Sequence, residues 1–164
     1  MRWLYLVVGV LVLSSIQFIA MQHLRVAPDL LLIFAIFLAL NTRREVALTG
    51  AWLGGLFSEV SGGQAGHKHI GMLAFLFTFF AWVLVRQRAR LFTEHWLTRT
   101  LIVGVVSLAC ALGGLVTISV ETRQWVGWES WDEMLLGVVY TTIFSIPLIG
   151  LFAQIRRLYS AGRK

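Results

Sequence analysis

The sequence predicts an all-α integral membrane protein, a single bundle of six transmembrane helices spanning residues 1–164. Three observations carry this: the composition, six separate apolar runs, and a lopsided distribution of basic residues. Apolar residues make up 58% of the chain and charged residues 13%, the latter about half the roughly 25% of soluble domains. The mean hydropathy is +0.79. A soluble domain of this size cannot hide so much apolar surface, so lipid is the expected solvent. The net charge of +6 fits the basic excess of cytoplasmic loops, and nucleic acid is not expected as a partner.

The runs fall at about residues 3–21, 29–41, 46–60, 70–85, 100–120 and 134–154. The first follows Arg2 and is read as a retained span, because no small-x-small cleavage pattern comes after it. It, the fifth and the sixth reach the roughly 17–25 residues that a crossing needs. The fourth, IGMLAFLFTFFAWVLV, is slightly short but intensely apolar. Its Phe75, Phe77, Phe79, Phe80 and Trp82 read as lipid-facing or core residues rather than a ligand box. The second and third runs are short enough for a re-entrant hairpin. That arrangement would place Arg43 and Arg44 in the bilayer, at about 2.5–3.5 kcal/mol each. Crossing is therefore the expectation.

With six crossings, 11 basic residues fall on one side: Arg2, Arg43, Arg44, Arg86, Arg88, Arg90, Arg99, Arg156, Arg157, Arg163 and Lys164. Three, Arg25, Lys68 and Arg123, fall on the other. Basic loops stay cytoplasmic, so both termini are expected there. The opposite loop ETRQWVGWESWDE, residues 121–133, carries Trp125, Trp128 and Trp131 beside acids. Tryptophans at this spacing suit a short helix anchored at the membrane interface. A partner-binding face is the less favoured reading.

Helices in lipid associate through close packing of small residues. Run three has Gly50, Gly54 and Ser58 at spacing four, with Ala47, Ala51 and Gly55 on a parallel row. The Gly50–Gly54 row is expected to be the tightest. Run five repeats the device with Ser107, Ala111, Cys110 and Gly114, and run six with Gly137, Thr141 and Ser145. Pro147 is expected to kink run six. The single cysteine, Cys110, rules out an intrachain disulfide.

The stretch GLFSEVSGGQAGHKHIG, residues 55–71, joins runs three and four. Gly62, Gly63, Gly66 and Gly71 allow a tight elbow. A metal site built from Glu59, His67 and His69 lacks convergent ligands. Catalysis by an acid–histidine pair lacks a nucleophile. No catalytic residue, metal or cofactor is therefore expected. The favoured reading is a polar-capped elbow in which Glu59 pairs with Arg25 or Lys68. Asp29, after Pro28, lies at the same outer level and is placed to cap the second helix.

The segments APDLLLIFAIFLAL (27–40), GAWLGGLFSEVSGGQAG (50–66) and HIGMLAFLF (69–77) resemble, in order and spacing, the rod shape-determining protein MreD family. The resemblance covers residues 27 to about 80; the rest agrees in hydropathy and length. Glu59 stands where the family usually has aspartate, and the His67-Lys68-His69 triplet is not a general family feature. The resemblance implies a six-helix bundle similar to the substrate-binding subunits of energy-coupling-factor transporters. It implies a non-enzymatic scaffold in the bacterial inner membrane that supports cell shape and peptidoglycan synthesis. Its implied partner is MreC, with RodA, the paired transpeptidase and MreB in the wider complex. Pro28, Asp29 and Glu59 would then shape a partner face or pocket. The rival reading is a transporter subunit that captures a vitamin-like solute. It is disfavoured because the first run has no Ala-xxx-Ala docking pair.

Overall fold

The computed structural model describes residues 2–24, 26–61, 71–88, 95–122 and 128–161. Six helices follow in chain order: α1 Arg2–His23, α2 Leu30–Asn41, α3 Arg44–Ser61, α4 Met72–Gln87, α5 Trp96–Thr122 and α6 Trp128–Ala161. Among the described residues there is no strand.

α2 is the hub. Its sequence LLLIFAIFLALN is apolar on every face, a pattern that suits either a helix enclosed by protein or one surrounded by lipid. Nine of its twelve residues are buried. It packs against all five other helices. Around it, α1 lies on α3, α3 on α4, α4 on α5 and α5 on α6, whereas α1 and α6 do not pack directly on one another. Phe34 of α2 sits between them, with its ring against Gly9 of α1 and, at 5.5 Å, the ring of Phe152 of α6.

Three helices are long and apolar enough to cross a membrane: α1 over Leu6–His23, α5 over Trp96–Thr117 and α6 over Trp131–Gln154. α2 and α4 are shorter apolar helices. At 1.5 Å per residue α2 spans about 18 Å, well under the roughly 30 Å of a hydrocarbon core. Enclosure by other helices removes the need for a match, because its end groups meet protein rather than lipid.

The tightest contact in α3 is not the one the spacing suggests. A Cβ on Gly55 would collide with the Ala74 Cα and would lie 2.6 Å from the Ala74 nitrogen and 2.8 Å from the Leu73 carbonyl carbon. These are backbone atoms of α4 and cannot step aside. A Cβ on Gly50 would meet side-chain ends, Leu38 at 2.5 Å and Leu6 at 3.2 Å, and one on Gly54 would have its nearest neighbour at 3.6 Å. The close approach therefore runs through Gly55 on the parallel row, because the antiparallel α3–α4 pair is the most intimate in the bundle. Ala47 and Ala51 of that row are fully buried. Gly114 of α5 has open space beside it, and Gly137 meets only Val26 at 3.6 Å.

α6 remains helical through Pro147, although proline cannot donate to the carbonyl one turn back. Trp128 and Trp131 belong to α6 itself, and α5 continues to Thr122. The separate interfacial helix expected over 121–133 is thus replaced, over its described residues, by the two flanking helices. Trp131 is exposed; Trp125 lies outside the described residues. In α4 the aromatic residues divide: Phe77 is core, while Phe75, Phe79 and Trp82 face outward.

Candidate functional site: a buried polar centre at the start of α2

A helix start leaves backbone N–H groups without partners, and at the centre of an apolar bundle water does not serve them. Three side chains from three helices answer at the start of α2. Asp29, the N-cap, accepts from the Leu32 N–H through Oδ1 at 3.0 Å. Gln17 of α1 accepts from the Leu31 N–H at 3.2 Å. Thr141 of α6 accepts from the Asp29 N–H at 3.0 Å. Ser58 of α3 then donates to the second Asp29 oxygen at 3.3 Å. Gln17, Ser58 and Thr141 are buried, and Pro28 beside them is buried too. The centre joins α1, α2, α3 and α6 at one point.

Asp29 was expected at the same outer level as Glu59, and Ser58, the residue before Glu59, does bond to it. Along α6 it is level with Thr141, ten residues past Trp131 and near the middle of the apolar stretch Trp131–Gln154. At 1.5 Å per residue Thr141 lies about 15 Å along α6 from Trp131. The non-helical chain before α2 is drawn down along α6, with Val26 beside Gly137 and Asp29 at Thr141, one turn further on. The shortness of α2 is the cause, since its N-terminus falls well inside the longer helices.

Among the described residues the buried Gln17 Nε2 has no hydrogen-bond partner. Among the described residues no cation pairs with Asp29; the Leu32 N–H and the Ser58 hydroxyl, both uncharged, are the donors to its carboxylate.

Glu59, one residue after Ser58, performs a second capping task. α4 begins after Gly71, whose φ of 114° lies in the left-handed region and whose residue type offers no capping side chain. Glu59 reaches across from the end of α3 and accepts from the Gly71 N–H and the Leu73 N–H, each at 2.6 Å. An anion at a helix N-terminus is favoured by the aligned peptide dipoles as well as by the bonds themselves. Arg25 and Lys68, the partners expected for Glu59, lie outside the described residues. So do Gly62, Gly63, Gly66, His67 and His69. Among the described residues no group of three metal-ligating side chains converges.

Gln17 and Thr141 had no place among the sequence-derived site residues, apart from Thr141 as a small packing residue. The available signal was weak: glutamine and threonine in apolar helices commonly hydrogen-bond across helices, but the sequence does not show which way they face. Ser58, read as a packing residue, is also a donor to Asp29.

Over its described residues the chain is all-helical, with three helices long and apolar enough to cross a membrane and a carboxylate-centred polar lock. No family model, curated protein or solved structure matches the chain.

Proposed function

We propose that the chain is a non-enzymatic scaffold of the bacterial inner membrane, of the MreD type. In this reading it binds MreC and supports lateral wall synthesis alongside RodA, its transpeptidase and MreB. All six helices cross, with α2 tolerated as a short span because it is enclosed. The observation that carries the reading is the interlock at Asp29, Ser58 and Glu59. The segments that resemble the family, Ala27–Leu40 and Gly50–Gly66, supply these three residues, which tie α2, α3 and α4 into one body. A rigid body of this kind suits a docking platform better than a moving gate. Asp29 and Glu59 are both engaged in capping helix starts.

Co-purification tests the reading. The full chain, extracted in mild detergent, is expected to carry a bitopic MreC-type protein with it. Asp29→Ala is expected to reduce that recovery several-fold, with the protein still inserted in the membrane. Undiminished recovery with Asp29→Ala would separate the polar centre from partner binding. Absence of any such partner from wild-type preparations would remove the scaffold reading.

Orientation gives a second check. Alkaline phosphatase fused after Lys164 is expected to be inactive, and inserted near Gly127 active, from the excess of basic residues on the terminal side. The reverse pattern would invert the bundle.

The unpartnered Gln17 amide beside a mid-depth carboxylate favours one alternative, a subunit that captures a small polar solute. Saturable binding of a vitamin-like compound by purified protein, lost in Gln17→Leu, would support it.

A further inference from the structure

One face of α4 serves neither the core nor the polar centre. Phe75, Phe79, Trp82 and Arg86 recur at intervals of four, three and four, so they form a single strip along the helix. The strip is exposed: Phe75 by 64%, Phe79 by 45% and Trp82 by 38%. Its rings are in register. Phe75 and Phe79 stack at 6.3 Å, Phe79 and Trp82 lie 6.5 Å apart at a tilt of 31°, and the Arg86 guanidinium carbon sits 5.6 Å from the Trp82 ring centroid. Arg86 thus has a fixed platform, and among the described residues no carboxylate or hydrogen-bond partner takes up its N–H groups. It stands at the basic end of the bundle. Arg88 donates to the Thr42 carbonyl oxygen at 2.6 Å, which brings the end of α4 to the α2–α3 corner and its exposed Arg43 and Arg44. Trp96, at the start of α5, is exposed at the same end.

We propose that this strip binds an anionic phospholipid, with its phosphate on Arg86 and an acyl chain laid along Trp82, Phe79 and Phe75. The guanidinium supplies a planar fork for phosphate oxygens, and its neighbours at this end supply a positive field. From Arg86 the strip runs about 16 Å along the helix to Phe75, the direction an acyl chain takes from its headgroup. An acidic protein segment docked at the arginines would leave those rings unused, which is why the lipid is the occupant the geometry favours.

Native mass spectrometry of the full chain, in detergent micelles doped with phosphatidylglycerol or phosphatidylcholine, tests this. Phosphatidylglycerol is expected to be retained about fivefold better, the order of effect that one arginine near an anionic surface supplies. Arg86→Gln is expected to abolish the preference, Arg86→Lys to keep part of it, and Phe75→Ala with Phe79→Ala to lower retention of both lipids. Arg86 is exposed, so its variants are expected to elute as folded protein. Equal retention of the two lipids, or an intact preference in folded Arg86→Gln, would overturn the proposal. Displacement of phosphatidylglycerol by millimolar inorganic phosphate would show a phosphate site and not a lipid site. Displacement by a glutamate-rich peptide would show a surface for an acidic partner. Either result would also overturn it.

Discussion

Gly55→Leu is expected to give no folded protein. The substituted Cβ alone would collide with the Ala74 Cα, and the backbone atoms around it belong to a helix that is itself fixed to α2. Overpacking against adaptable side chains costs about 1–3 kcal/mol. Here the α3–α4 pair would have to separate, and with it the two bonds from Glu59 to the start of α4. Two neighbouring glycines grade the effect. Gly50→Ala pushes on the flexible end of Leu38, and Gly54→Ala enters ordinary contact distance. The expected order of damage is Gly55 first, Gly50 second and Gly54 last, read as the yield of monodisperse protein in detergent and its unfolding temperature. A Gly54→Ala variant that behaves worse than Gly55→Ala would show that the helix faces are assigned to the wrong neighbours.

Glu59→Ala is expected to be the most damaging substitution of a polar side chain. It removes two hydrogen bonds to an ionised group, each worth about 1.5–3 kcal/mol. It also leaves the Gly71 and Leu73 N–H groups without their partner at a helix start that has no cap of its own. A loss on the order of 3 kcal/mol follows. Glu59→Asp is one methylene shorter and is expected to keep one bond at full strength, although aspartate is the residue the MreD resemblance implies there. Glu59→Gln has a single acceptor oxygen and is expected to fall beside Glu59→Asp. Thermal unfolding in detergent ranks the three. An alanine variant as stable as wild type would reduce Glu59 to a solvated helix end. Faster amide exchange confined to the first turn of α4 would locate the damage where the bonds are lost.

The sequence by itself determined that the protein is helical and made for lipid, because apolar content and run length are local quantities. It also placed the first four helices to within two residues at each end, whereas α5 and α6 extend beyond their apolar runs by up to seven; it identified Asp29 as a cap and pointed to α3 as the close-packing helix. The uniformly apolar sequence of α2 was visible as well, but it suits a lipid-facing helix as well as an enclosed one.

Only the tertiary structure decided which neighbours those were. Whether Gly54 or Gly55 meets a backbone depends on how α3 is rotated against α4, and two interleaved rows of small residues look alike in one dimension. The level of Asp29 depends on where a 12-residue helix sits along a 34-residue one, which spacing within either helix does not encode. The meeting of Gln17, Asp29, Ser58 and Thr141 joins positions up to 124 residues apart (141 − 17), and the same polar residues would look alike in the sequence wherever they pointed. Glu59 shows the division most plainly. Its charge and its place at a helix end were legible, but its partners are backbone N–H groups, which every residue except proline possesses and which only the folded chain can select.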